Sequence, residues 1–475
     1  MRFDLASSGF VEIDRDPQRA AVVGVDKTLD WEGFRREVGR WVAQAKGLGI
    51  GAGIPVVIYG HKEAEFLVAM AGCLSLRAPF VPVDTIYPEE RMQRIAAIVE
   101  APVIYRTDGS GFCKLGPHPE PMQQRDLAYV MFTSGSTGEP KGVQIGREGV
   151  RGLVDWMREC FQMGETPVYM NQAPFSFDLS MYEVFAFLGI GGTLVLNSRE
   201  QTAEPDAYLA RLAQQKMNVW VSTPSFARQQ LLSKQFDGAH LPDLKVFLFC
   251  GEVLPHSLVK RLRERFPAAQ VLNTYGPTEA TVATTWVFID DDILARFDPL
   301  PVGRAKPDSV VRVAEDGEIE ILGSHVMRGY LNRPELNAEK LFEEGGQRGF
   351  RTGDLGEMGE GGLLFCRGRR DEQIKLNGYR IELQEIDKAL QKLPGVSGSA
   401  VVPLRRADGA VARLVAYVTL SGRGQPSTDW KAQVGASLPP YMVPSELLVA
   451  AELPVSTNGK IDRKALEQIY LAQSR

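Results

Sequence analysis

Thr133-Ser-Gly-Ser-Thr-Gly-Glu-Pro-Lys-Gly142 directly follows an apolar run, Leu127 to Phe132. The chain leaves a strand and turns at once into a loop of small residues. Gly135 and Gly138 permit backbone angles that a side chain forbids, so successive N–H groups can turn toward one anion. Thr133, Ser134, Ser136 and Thr137 add hydroxyl donors, and Lys141 adds a positive charge. On chemical grounds this is a phosphate cradle. It is not a Walker A loop, because Lys141 comes three residues after Gly138 and is followed by glycine instead of Ser or Thr. The same composition also builds ordinary surface turns, so its reading depends on the rest of the chain.

Upstream of the loop, Trp31, Phe34, Val38, Trp41, Val42 and Ala45 fall at helical spacing between charged residues, which predicts an amphipathic helix with a core-facing stripe. Ile54 to Tyr59 reads as a strand, Glu63 to Leu76 as an apolar helix, and Phe80 to Asp84 as a second buried strand. Helix and strand alternating in this way predict an α/β fold with much parallel sheet. Downstream, 149–163 reads as a helix, and Trp220 to Ser225 and Val246 to Glu252 as strands ending at one sheet edge, where ligands collect.

Composition narrows the function. At 475 residues the chain holds roughly three domains, or one large and one small. With 44% hydrophobic and 24% charged residues it matches a water-soluble globular protein able to bury a core without disulfides or metal. A net charge of −5 leaves no basic footprint, which argues against nucleic acid as a partner. Five scattered cysteines without a C-x-x-C pair, and five scattered histidines, form no zinc-type ligand set and read as reduced thiols. No run spans a bilayer and the N-terminus has no apolar h-region, so a cytoplasmic protein with no membrane span is expected.

Further signals follow in order. They are Asn171-Gln-Ala-Pro-Phe-Ser-Phe-Asp-Leu-Ser180, Phe249-Cys-Gly-Glu-Val253, Asn273-Thr-Tyr-Gly-Pro-Thr-Glu279, Phe350-Arg-Thr-Gly-Asp354, Gly368-Arg-Arg-Asp371, Asn377-Gly-Tyr-Arg380 and Asn458-Gly-Lys-Ile-Asp-Arg463. Asp178 reads either as a helix N-cap before Met181–Phe187 or as a buried carboxylate that needs a cationic partner. Cys250 reads either as a small core hydrophobe or as a pocket wall.

With the cradle, this series resembles the adenylate-forming superfamily, from about Thr28 to Lys464, and most closely its amino-acid-activating branch. The resemblance implies a core over residues 1–369, made of layered sheets and helices plus a β subdomain, and a small mobile α/β domain over 370–475. It implies ATP and Mg²⁺ as cofactors. Thr133, Ser134, Gly135, Ser136, Thr137, Gly138 and Lys141 would hold phosphates, with Asn273, Thr274, Tyr275, Gly276 and Thr278 around the base and α-phosphate. Glu279 would hold the metal, Asp354 and Arg369 the ribose, and Lys460 would be the catalytic lysine. Asp178 would meet the substrate ammonium group, with Phe177, Cys250 and Tyr182 as pocket walls. Asp371 would be the hinge, and Gly378 would line the thiol approach.

The activity implied is formation of an aminoacyl-AMP and transfer to the phosphopantetheine thiol of a carrier protein. Asn171–Ser180, Ser222–Phe226 and 247–255 match the D-alanine-activating branch best, which serves teichoic acid D-alanylation. That branch usually has Val-Met-Asp after Phe-Asp-Leu-Ser, where this chain has Met181-Tyr-Glu183, so the pocket is expected to be smaller or differently shaped. Another small amino acid in a nonribosomal-peptide-type pathway is the first alternative. An acyl-CoA ligase, which needs no Asp178, is the second.

Overall fold

The computed structural model describes residues 2–4, 6–11, 18–116, 120–135, 139–406, 409–421, 428–454 and 461–473. These fall into two compact units. One comprises Met1–Asp84, Ala96–Phe132 and Gly142–Arg370, and the other Thr85–Ile95, Thr133–Lys141 and Asp371–Arg475.

The expected alternation is present in the first unit. Asp30 caps the helix Trp31–Gly47 by accepting from the Gly33 N–H at 2.6 Å, and Trp31 stacks on Phe187 with ring centroids 4.8 Å apart. The strand expected from Ile54 begins at Val56, and the helix expected from Glu63 begins at Ala64. The helix expected over 149–163 runs instead over Arg147–Cys160. Its start is earlier because buried Arg147 donates to the Leu74 carbonyl at 3.1 Å, and its end is earlier because Gln162 takes a left-handed φ of +51°.

One sheet carries, in spatial order, Arg304–Ala305, Thr285–Phe288, Gln270–Tyr275, Val246–Phe249, Val219–Ser222, Val168–Asn171, Thr193–Leu196, Ala20–Val23 and Thr28–Asp30. Its middle is parallel, with Ser222 level with Phe249 and Phe249 level with Asn273. These strands therefore end at one edge, as read from Trp220–Ser225 and Val246–Glu252. Burial on both faces explains their nearly continuous apolar sequences. A second sheet runs Lys141–Gly146, Leu127–Thr133, Phe80–Asp84, Val56–Gly60, Val103–Arg106 and Gly111–Lys114. The third is built by Ser309–Val313, Glu318–Gly323, Gln347–Met358, Leu341–Glu344 and Leu364–Arg369. Its first two strands form a hairpin with a short connection between Val313 and Glu318.

In the second unit, Ile381, Ile386, Leu390, Val401, Leu414, Ala416 and Val434 share one core. The helix Leu383–Gln391 packs on a sheet of Val396–Arg405, Val411–Leu420 and Glu446–Val449. Asp387 on that helix accepts from the Val401 N–H at 2.8 Å and from Arg463 Nη2 at 2.7 Å. Burial raises its carboxyl to about 6, against the pull of Arg463. Among the described residues no helix is long and apolar enough to cross a membrane. None of the five cysteines is in a disulfide.

Candidate active site

The parallel strands of the first sheet deliver their loops to one edge, and Phe177, Asp178, Cys250 and the segment Asn273–Glu279 singled out from sequence follow those strands. After Val168–Asn171 the chain turns through Ala173–Asp178 into the helix Ser180–Ile190. Asp178 is not the N-cap of that helix. Leu179 holds that position without a side-chain cap, and Asp178 Oδ2 instead accepts from Thr278 Oγ1 at 2.6 Å. The two quoted motifs, Phe-Asp-Leu-Ser and Tyr-Gly-Pro-Thr-Glu, therefore meet at a buried carboxylate. A buried carboxylate favours a cation beside it.

Beyond that pair, Tyr182 is 1% exposed and donates to Thr274 Oγ1 at 2.9 Å, and Thr274 donates to the Phe249 carbonyl at 2.9 Å. Burial, then the neighbouring Cys250, pushes the Tyr182 phenol well up, so it stays protonated as a donor. Cys250 is buried at the end of its strand, next to Gly251, whose φ of +91° turns the chain. A Cβ on Gly251 would lie 3.7 Å from Phe177 Cζ. Phe177, Tyr182 and Cys250, chosen from sequence, are thus neighbours, with Phe177 against the turn at Gly251 and Tyr182 beside Cys250.

The nucleotide motifs converge in the same unit. Tyr275 donates to Asp354 Oδ2 at 2.6 Å, and Arg369 Nη1 meets Asp354 Oδ1 at 2.6 Å. Each carboxylate oxygen keeps a second lone pair, so a bidentate partner such as a ribose diol can be accepted without breaking either contact. Gly276 is required by packing, since a Cβ there would sit 2.4 Å from Ala283 Cα. Lys306 Nζ donates to the Ala283 carbonyl at 2.9 Å and Thr281 Oγ1 to the His325 carbonyl at 2.6 Å, which fixes the rest of the turn. The Asn273 amide is turned to the Pro301 carbonyl, 2.8 Å away. Glu279 is fully buried, and its Oε1 accepts from Tyr330 Oη at 2.6 Å. An oxygen donor of this kind suits a hard divalent cation completed by phosphate oxygens. Among the described residues no three His, Cys, Asp or Glu side chains gather as a protein-only metal cage.

The cradle belongs to the second unit. A Cβ on Gly135 would meet the Glu139 carbonyl oxygen at 2.0 Å, so the loop folds back on itself as only glycine allows. The Thr133 hydroxyl is buried with no hydrogen-bond partner among the described residues, which leaves a donor for an anion. Ser134 Oγ donates to the Arg380 carbonyl at 2.8 Å, and Lys141 Nζ lies 3.2 Å from Glu382 Oε1. Ser136, Thr137 and Gly138 lie outside the described residues, as does Lys460. The ends of the segment that carries Lys460 are joined: Asp462 N donates to the Pro454 carbonyl at 2.8 Å, and Arg463 is held by Asp387 and by Glu372 at 3.2 Å. Asp371 accepts from the Gln373 N–H at 3.2 Å. Asn377 and Gly378, with φ of +52° and +84°, form the tight turn between paired strands Gln373–Leu376 and Tyr379–Glu382.

Sequence reading did not find the partners. Thr278 on Asp178, Tyr330 on Glu279 and Lys306 under the turn join segments far apart in the chain. Nothing local marks them.

Comparison with known proteins identifies the family and the fold. Residues 10–331 match the AMP-binding enzyme family and residues 385–460 the AMP-binding enzyme C-terminal domain. The chain is 35% identical over 486 residues to a D-alanine–D-alanyl carrier protein ligase of Bacillus licheniformis, covering 95% of this chain and 96% of that protein. A protein of the same name from Bacillus anthracis is 37% identical over 446 residues, covering 87% and 88%. In fold it is similar to the Vibrio cholerae adenylation domain AlmE, solved with glycyl-adenosine-5′-phosphate, with a TM-score of 0.84, 21% identity and coverage of 98% and 97%.

Proposed function

Because the chain belongs to the AMP-binding enzyme family, we propose that it activates D-alanine as aminoacyl-AMP and transfers it to the phosphopantetheine thiol of a carrier protein. The observation that carries the amino-acid reading is the buried Asp178 carboxylate held at 2.6 Å by Thr278, a residue of the nucleotide motif. It supports the reading in which Asp178 is the counter-charge for an ammonium group close to the nucleotide. A fatty or aryl acid carries no ammonium group to meet the charge of that carboxylate. D-alanine is favoured over other small amino acids by the names of relatives at 35% and 37% identity.

The first half-reaction is carried by positioning and electrostatics. A substrate carboxylate oxygen bonds to the α-phosphorus as the bond to pyrophosphate breaks. Thr133, Ser134 and Lys141 with the rest of the cradle hold phosphate oxygens, Asp354 and Arg369 hold the ribose, and Tyr275 lies against the base. Mg²⁺, when bound, neutralises phosphate charge, and Glu279 is the residue to hold it. Lys460 meets the charge that develops between carboxylate and phosphate. In the second half-reaction the thiol sulfur bonds to the acyl carbon and AMP leaves. Gly378 is assigned to the thiol's approach and Asp371 to the hinge between a core of residues 1–369 and a mobile domain of 370–475. A cytoplasmic role in supplying D-alanyl groups for teichoic acids fits this activity.

Mass spectrometry of a phosphopantetheinylated carrier protein incubated with enzyme, ATP, Mg²⁺ and D-alanine tests the assignment. A D-alanyl thioester on the carrier supports it. Acylation of free coenzyme A by non-amino acids, with no loading of the carrier, would overturn it.

A further inference from the structure

Beneath the loop that carries Asp178 lies a polar cluster that the reaction does not use. Lys62 is completely buried, at the head of the helix Ala64–Leu76. Its Nζ is 2.5 Å from Asn171 Oδ1 and 2.5 Å from the Ala173 carbonyl, and lies 4.2 Å from the centre of the Phe175 ring. Those three contacts fall on alternate residues of the segment that runs straight into Phe177 and Asp178. Asn171 is held from its other end by Glu183, whose Oε1 accepts from Asn171 Nδ2 at 3.2 Å. Glu183 is also fully buried, and its Oε2 has no hydrogen-bond partner among the described residues. From the opposite side, the Asn197 N–H and Nδ2 donate to the Asn171 carbonyl at 3.0 and 3.1 Å.

Burying an ammonium group is costly, and here burial pushes Lys62 down to about 7. Asp84 and Glu183 act against that shift, with Arg199 opposing and Glu63 supporting them. The compact turn that follows, in which Phe177 N donates to the Pro174 carbonyl at 2.9 Å and Met181 N to the Asp178 carbonyl at 2.8 Å, has its entry held by Lys62, by the Asn197 bonds to Asn171 and by Phe66, whose ring lies 4.7 Å from that of Phe175. A methylene chain with one strong donor head is the group that can reach two oxygens and an aromatic face at once.

We propose that Lys62, with Asn171 and Glu183, is the positioning residue that sets where Asp178 stands to meet the substrate's ammonium group. This rests on the amino-acid-activating reading above. Lys62 touches no reacting atom; it acts by fixing the backbone from Asn171 to Phe175. Its loss should therefore weaken recognition of the amino acid more than recognition of ATP.

The test is amino-acid-dependent ATP–pyrophosphate exchange by full-length wild type, Lys62→Met and Lys62→Met/Glu183→Gln, with thermal melting of each. For Lys62→Met the KM of the amino acid should rise about tenfold or more while that of ATP moves less than about threefold. The double variant removes both buried ionisable groups, so its melting temperature should recover toward wild type while the raised amino-acid KM persists. An unchanged amino-acid KM in Lys62→Met, equal changes in both KM values, or a KM that recovers with stability in the double variant would each overturn the proposal. A wild type that exchanges pyrophosphate with no amino acid would instead overturn the functional reading itself, so the two failures are distinguishable.

Discussion

Replacing Asp178 by asparagine removes one charge and changes little else. Asparagine keeps an oxygen that can accept from Thr278 Oγ1, so the 2.6 Å contact linking the two motifs can survive. What is lost is the attraction between a buried carboxylate, 9% exposed, and the ammonium group of the substrate. For unit charges about 4 Å apart at an effective dielectric of about 20, that attraction is about 4 kcal/mol. At about 1.4 kcal/mol per decade this corresponds to a rise of about a thousandfold in the amino-acid KM or fall in kcat/KM. Steady-state pyrophosphate exchange measures it directly, with ATP varied at fixed amino acid as the control. The KM of ATP should stay near the wild-type value, because the base, ribose and phosphate residues are untouched. An amino-acid kcat/KM within about threefold of wild type would refute the counter-charge role, since a difference that small corresponds to well under 1 kcal/mol.

Three other outcomes are expected. Arg463→Ala leaves Asp387 buried without its ion-pair partner and should destabilise the second unit by about 3 kcal/mol, read as an earlier unfolding transition and faster proteolysis there. His325 is held well below its ordinary value of 6.5 by burial and then by Lys306 and Arg348, so below that pH the unfolded chain takes up a proton the folded one does not. Stability should then fall with decreasing pH by up to about 1.4 kcal/mol per unit, and His325→Gln should flatten urea-unfolding midpoints measured from pH 7 to 5. Glu279→Gln should raise the Mg²⁺ concentration needed for half-maximal exchange at fixed ATP by about tenfold or more, and an unchanged Mg²⁺ dependence would remove Glu279 from the metal site.

Much of this architecture was legible because the relevant signals are local. The apolar runs Val219–Ser222 and Val246–Phe249 are buried parallel strands, and their sequences say so without help from distant residues. The small-residue and Gly-Pro motifs mark loops because only certain residues fit those backbone paths: a Cβ on Gly276 would lie 2.4 Å from Ala283 Cα. Asp178 was ambiguous for a physical reason: an aspartate just before a helix satisfies the requirements of an N-cap as well as those of a site residue. Only the Thr278 contact, a hundred residues away in sequence, separates the two. Lys62 and Lys306 were invisible for a related reason. A lysine in a sequence reads as a solvated charge, and its burial against Ala173 or Ala283 depends on long-range packing. The early start of the helix Arg147–Cys160 likewise follows from Arg147 reaching the Leu74 carbonyl.

The central claim is that this site adenylates D-alanine, and a pyrophosphate-exchange panel comparing D-alanine with L-alanine, glycine, D-serine and propionate tests it most directly. The account predicts the highest kcat/KM for D-alanine and none above background for propionate, which has the carboxyl group and no amine. Exchange with propionate comparable to that with D-alanine would contradict it.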